Sequence, residues 1–235
     1  FRVAVYPVTV AQYELFIQDD GYQRQFYKDD PTKRIWTKTG WQWREGQQRK
    51  RPDDYESAFQ TPNHPRVGVT WYEAVAFCNW LNAAFTSEEL KLPDPVWKVR
   101  LPTEAEWERA ARHTDGRDYP WDPKAQAKPA SRCNCSETDL RQTIAVGLFP
   151  SGQAFCGAHD MAGNVWEWCL TKWRDDYKDY EKLADHDPEG NALRVLRGGS
   201  WFSVADDARC ASRRRLAPGG RNRSLGFRLV ASPFS

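Results

Sequence analysis

The chain has 235 residues, 40% hydrophobic and 28% charged, with a formal charge of +2 and a mean hydropathy of −0.80. Those values fit a soluble globular chain folded as one large domain over residues 1–235, and the lack of a long apolar run excludes a membrane span. A charge so close to zero argues against nucleic acid as the main partner.

Twelve Trp and fifteen Pro predict a turn-rich fold plugged by large rings. The chain begins at Phe1 without methionine or signal peptide, so it reads as a piece of a longer protein. The six cysteines form no C-x-x-C pair, and Cys133 and Cys135 stand in a C-x-C. Buried free thiols are expected rather than disulfides. With no signal peptide and no clear disulfide pattern, a cytoplasmic location is favoured.

In chain order, residues 1–5 alternate as a strand. Residues 8–17 form a helix capped by Thr9, with Tyr13, Phe16 and Ile17 on one face, and Gly21 ends it. Residues 22–61 read as a long, partly irregular insertion pinned by Trp36, Trp41 and Trp43, rings that either plug the core or stack on carbohydrate. Residues 62–70 make a turn and short strand leading to a cap at Thr70. The helix over 71–85 is the clearest in the sequence, with Trp71, Ala74, Val75, Cys78, Trp80, Leu81 and Phe85 marking its apolar stripe. A further helix starts at Thr103 with Glu106 as capping-box partner and Trp107, Ala110 and Ala111 facing inward. Residues 119–121 read as a turn, 131–139 as a polar loop and 146–150 as a short strand.

In residues 157–168, Asp160 and Glu167 supply carboxylates and Gly163 lets a backbone carbonyl turn inward, a donor set that suits calcium. A loop held by carboxylate-to-amide hydrogen bonds reads identically. Residues 194–197 form a strand, Gly198-Gly199 a close turn or bulge, and 225–230 a returning strand. Between those frames, Phe202, Ser203, Val204, Asp206, Arg214, Leu216, Ala217, Gly219, Gly220, Arg223 and Ser224 follow one another without a strand or helix period. That is the signature of a loop-rich display surface. Arg209, Arg213, Arg214, Arg215, Arg221, Arg223 and Arg228 either favour anionic ligands or are framework arginines paired to Asp and Glu.

Five stretches, PVTVAQYELF, HPRVGVTWYEAVAFCNWL, RLPTEAEWERAAR, DMAGNVWEW and RVLRGGSW followed by GFRLV, occur in an order that resembles formylglycine-generating-enzyme-like, or sulfatase-modifying-factor, domains. The resemblance implies an α+β chain of the C-type lectin fold, with two main helices, short antiparallel strands and much loop. In the aerobic enzymes of that family, two cysteines just after the Gly-Gly-Ser turn bind copper and oxidise thiols. Alignment on Gly198-Gly199-Ser200 puts Ser203 and Ala208 there, so the resemblance implies a chain without catalytic residues or a catalytic cofactor. Related iron-dependent enzymes take histidines from an extra N-terminal domain, whereas His64, His113, His159 and His186 are scattered here.

The stretch from RGGSW to GFR also resembles the variable region of diversity-generating-retroelement proteins, where mutagenesis at adenines scrambles AAC-type codons. A C-ending codon cannot encode Lys, Gln, Glu, Met or Trp, and none of these occurs from Phe202 to Leu225. That resemblance implies a ligand-recognition domain with a variable site at about residues 201–225, a macromolecular and most naturally protein ligand, and Trp201 as its floor. The alternatives are a copper-dependent formylglycine-generating oxidase and a calcium-dependent glycan-binding module. By resemblance again, a structural calcium sits at Asp160, Gly163, Val165 and Glu167, away from the ligand face, with a second near Asn134 and Asp139.

Overall fold

The computed structural model describes residues 1–121 and 128–233. Its elements in chain order are β1 (Arg2–Val3), α1 (Val10–Gln18), β2 (Phe26–Tyr27), β3 (Asp30–Arg34), α2 (Lys38–Gly46), α3 (Trp71–Ala84), β4 (Lys98–Arg100), α4 (Glu104–Arg112), β5 (Trp166–Lys172), α5 (Tyr180–Leu183), β6 (Arg194–Arg197), β7 (Arg213–Leu216), β8 (Leu225–Gly226) and β9 (Val230–Ser232). The strands make a three-stranded sheet β1-β9-β4, a hairpin β2-β3 and a four-stranded sheet β7-β6-β5-β8. Short 3₁₀ turns and loops supply the rest.

Three helices start as the sequence predicts, each at a threonine whose hydroxyl accepts the backbone N–H three residues on. Thr9 with Gln12, Thr70 with Glu73 and Thr103 with Glu106 each complete a capping box. At the end of α1, a Cβ on Gly21 would lie 2.0 Å from the Phe16 ring, so only glycine lets the chain turn against it. α3 is buried on nearly every side, as its lack of a polar face requires. Phe85, placed by its spacing on the α3 stripe, caps the helix in an extended conformation and is exposed instead.

The indole rings hold the core together and satisfy their own polar ends. Trp36 donates to the Gly21 carbonyl at 2.7 Å, Trp71 to the Cys169 carbonyl at 2.9 Å and Trp168 to the Val69 carbonyl at 3.2 Å. Of the rings in the 22–61 insertion, Trp36 is fully buried, and Trp41 and Trp43 pack half-buried against the same core. The core-plugging alternative is the one the structure adopts.

Several expectations change. The insertion is more regular than its sequence, since β2, β3 and α2 all lie within it. No strand was expected over β5, because six of its seven residues are buried and no polar alternation marks it. Residues 146–150 form turns rather than a strand, and residues 62–70 hold no strand, only an isolated bridge from Pro65 to Thr9 among the described residues. The strand expected over 225–230 is broken. β8 joins β5 in the four-stranded sheet, in parallel rather than the expected antiparallel sense, while β9 pairs antiparallel with β1 and β4. Between them Phe227 enters the core and Arg228 reaches Glu167, so these residues carry the chain from one sheet to the other.

Candidate recognition surface

β6 delivers the chain to Gly198 and Gly199, whose φ angles of +98° and +74° lie where L side chains are strained. A Cβ on Gly199 would approach the Ala208 Cα to 2.9 Å. The turn sets Trp201 beneath the following loop. Its backbone N–H donates to the Asn164 carbonyl and its indole to the Arg223 carbonyl, both at 3.0 Å, and its ring packs on Phe59. Trp201 is 5% exposed, a floor as predicted, and next to it Phe202 is 73% exposed.

The fillers divide. Phe202, Val204, Asp206, Arg214, Ala217 and Arg223 are exposed, and Leu216 and Ser224 are half-buried. Arg223 lies over the Trp201 ring at 5.4 Å and Arg214 over the Trp166 ring at 5.1 Å. The two rings are neighbours through the loop, because Trp166 donates its indole N–H to Ser203 Oγ at 3.0 Å and its backbone N–H to the Ser224 carbonyl. Arg214 therefore covers Trp166, and Phe202 and Arg223 flank its neighbour Trp201. A cavity of about 530 Å³ opens on it, lined by Ser136, Asp139, Arg141, Trp201, Phe202 and Arg223.

Three of the expected contact residues are corrected. Ser203 is 7% exposed with its hydroxyl committed to Trp166, so it belongs to the frame. A Cβ on Gly219 would lie 2.8 Å from the Trp43 indole, and one on Gly220 2.6 Å from the Leu216 side chain, so a larger residue at either site must displace a packed neighbour. Ser224 donates through both N–H and Oγ to Asn222 Oδ1, which makes Asn222 the local turn-former.

The arginines divide: Arg213 and Arg228 pair inside the fold with buried carboxylates, Arg221 makes a half-buried pair, and Arg209, Arg214, Arg215 and Arg223 make exposed pairs at the surface. Each of the seven has a carboxylate partner: Asp206 for Arg209, Glu104 for Arg213, Asp207 for Arg214, Asp175 for Arg215, Asp53 for Arg221, Glu56 for Arg223 and Glu167 for Arg228. Glu104, 1% exposed, also accepts from the Tyr177 and Tyr180 hydroxyls at 3.0 Å each. Such a surface offers balanced charge rather than a positive field.

The calcium donors are partly spoken for. Glu167 is buried, and its two oxygens accept from Arg228 at 2.6 and 2.8 Å and from Trp107 at 2.7 Å, so it enters the structure as the counter-ion of Arg228. The Gly163 carbonyl accepts from Val165 N–H at 2.8 Å. Asp160, unlike Glu167, makes no ion pair among the described residues. It accepts from Gly147 N–H at 2.7 Å, and burial pushes its carboxyl up to about 6. The Asp160 carboxylate and the Gly163 and Val165 carbonyls are oxygen donors of the kind that calcium takes. The second expected pair does not come together. Asn134 is 1% exposed and bonded to Gln142 and Thr138, while Asp139 is exposed beside Arg141 and lines the recognition cavity. Among the described residues no cluster of three or more His, Cys, Asp or Glu side chains forms a metal site, and no helix is long and apolar enough to cross a membrane.

Sequence reasoning missed Trp166 as the second floor and Ser136 and Arg141 as cavity walls. The WEW triplet is the one local signal for the first; the others reach the site only through tertiary packing.

This architecture, two sheets, a hairpin and five helices among the described residues, joined by loops, is that of the formylglycine-generating-enzyme fold. The sulfatase-modifying factor enzyme 1-like domain family matches residues 1–233, and the chain belongs to it. It is similar to the serine/threonine-protein kinase pkn1 of Chlamydia caviae, 38% identical over 71% of this chain and 24% of that protein. It is similar also to the formylglycine-generating enzyme of Thermomonospora curvata, 34% identical over 74% of this chain and 57% of that protein. Among solved structures it resembles Treponema denticola variable protein 1, with a TM-score of 0.63, 23% identity, and coverage of 98% of this chain and 84% of that one, a likeness of fold. The chain spans between 24% and 65% of the length of the curated relatives it matches.

Proposed function

We propose that this chain is a ligand-recognition domain whose exposed C-terminal face, within residues 201–225, binds a macromolecular partner, most naturally a protein surface, and is diversified by a retroelement. One observation carries the reading: side chains that follow no buried period are exposed, while the residues interleaved with them, Trp201, Ser203, Ala208 and Cys210, are buried. Substitutions at such exposed positions usually change stability by about 0.5 kcal/mol or less, so identities there are free to vary while the frame stays. Phe202, Arg214 and Arg223 are the expected anchors, being large and exposed. The absence of Lys, Gln, Glu, Met and Trp from 202–225 and the fold shared with a variable protein support the diversified reading.

The DNA of the locus tests it. A second, imperfect copy of the segment differing only at adenines, beside a reverse transcriptase, is expected. A locus with a single copy overturns the diversification.

The runner-up is copper-dependent thiol oxidation of the formylglycine-generating type, favoured by the relatives that bear that name. It requires a cysteine pair where Ser203 and Ala208 stand, both buried in this chain. Turnover of a cysteine-containing sulfatase peptide in the presence of copper would establish it; none is expected. A calcium ion at Asp160, Gly163 and Val165 belongs to the scaffold in this reading, not to the binding face.

A further inference from the structure

A cavity of about 500 Å³ is lined by α3, β4, β5 and residues 186–188, and it shares no residue with the recognition cavity. That volume is in the range of small-molecule pockets. Its apolar lining is Val75, Cys78, Val99, Leu101 and Leu170, all of them buried side chains of the scaffold.

Most polar groups around this cavity are already committed. Asn82 accepts from Val99 N–H at 2.9 Å and donates to the Val99 carbonyl at 2.7 Å. It thereby stands in for a neighbouring strand beside β4, an edge of its sheet, and bars an added peptide strand there. Arg100 donates to both oxygens of Glu106, at 2.6 and 2.8 Å. Asp187, the one carboxylate lining the cavity among the described residues, lies 3.5 Å from Lys172.

Charge enters from one side. Asn79, Asn82 and Lys98 also line a second cavity, of about 240 Å³, together with Lys33, Arg34 and Ala83, and no carboxylate lines it among the described residues. Lys33 donates to the Ala83 carbonyl at 3.2 Å and lies 3.9 Å from Asp30. Arg34 rests over the Phe26 ring at 5.2 Å. Arg34 and Lys98 are exposed and make no ion pair among the described residues. An apolar chamber continuous with a cationic one is complementary to a molecule with a hydrocarbon body and an anionic end.

We propose that the two cavities form one binding site for a small amphipathic carboxylate, its hydrocarbon body against Val75, Leu101 and Leu170 and its carboxylate facing Arg34 and Lys98. Burial of the hydrocarbon supplies most of the affinity, and the exposed cations select for charge. The site is separate from the recognition face and independent of what that face binds.

Calorimetric titration of the whole chain at low salt, with octanoate as the probe, tests this. Octanoate is expected to saturate a single site and to shift the methyl resonances of Val75, Val99, Leu101 and Leu170. Hexanoate should bind roughly tenfold more weakly, because two fewer methylenes are buried. The neutral analogue 1-octanol should also bind about tenfold more weakly than octanoate, having no charge to pair. Arg34→Gln combined with Lys98→Gln should weaken octanoate about tenfold and leave 1-octanol unchanged, which reads an intact cavity in the same variant. Octanoate that fails to bind, that binds no better than acetate, or that is indifferent to the two glutamines would each overturn the proposal. Sedimentation of the chain with phosphatidylglycerol vesicles that octanoate does not compete away would assign the cations to a lipid surface and overturn it as well.

Discussion

Trp201 and Phe202 are adjacent and have opposite fates. The indole of Trp201 is anchored by Arg223 and packed on Phe59, whereas the Phe202 ring stands 73% exposed. Trp201→Ala should therefore cost about 3–5 kcal/mol, through lost burial and an unfilled cavity. Phe202→Ala should change stability by no more than about 0.5 kcal/mol. Urea denaturation of the two variants checks this, and a large loss for Phe202→Ala would show that the ring is structural. The floor role of Trp201 was legible from its place after the Gly-Gly-Ser turn. The burial of Ser203 was not, because its partner Trp166 is 37 positions away in the chain.

At the scale of elements, α3 is the packing centre, and its first turn does more than start a helix. Thr70 Oγ1 accepts from Glu73 N–H, Glu73 Oε2 accepts from Thr70 N–H at 2.7 Å, and the same carboxylate accepts from the Tyr22 hydroxyl and Arg49. Thr70→Ala should lower stability by about 1–2 kcal/mol, near the upper end for a lost cap because the site is fully buried. Thermal denaturation reads this directly, and an unchanged midpoint would mean that Glu73 alone holds the turn. The Thr-x-x-Gln or Thr-x-x-Glu signals made α1, α3 and α4 visible in the sequence. α2 has a threonine cap at Thr37 but neither a capping-box partner nor an aliphatic stripe, so only Trp41 and Trp43 packing on the core marks it.

Across the whole molecule, the buried pair of Arg228 and Glu167 ties the segment linking the two larger sheets to β5, and Arg228 also donates to the Ala4 and His159 carbonyls. Asp160 lies beside that junction with its carboxyl raised to about 6 from an ordinary 3.8. A carboxyl whose pKa is raised by folding contributes stability that is complete below about 3.8 and is lost as pH rises through about 6. Without calcium, the melting temperature should therefore carry a downward slope across that window, and Asp160→Asn should remove it. Calcium favours the ionised carboxylate, so adding it should raise the melting temperature more above pH 6 than below, and chelator should reverse the gain. A melting temperature indifferent to calcium would remove the ion from this site.

The sequence alone determined where three helices begin, the Gly198-Gly199 turn, the family whose motifs the chain carries in order, and a C-terminal segment without a buried period. These are local properties, written within a few residues by capping, steric freedom and periodicity. Tertiary structure decided which fillers face outward, that Ser203, Gly219 and Gly220 belong to the frame, and that all seven C-terminal arginines find carboxylates. Those outcomes depend on partners such as Glu167 for Arg228, 61 positions apart, and Glu104 for Arg213, 109 positions apart. A charge or a ring is indifferent to sequence distance once the chain is folded, so no local pattern records which partner it will meet.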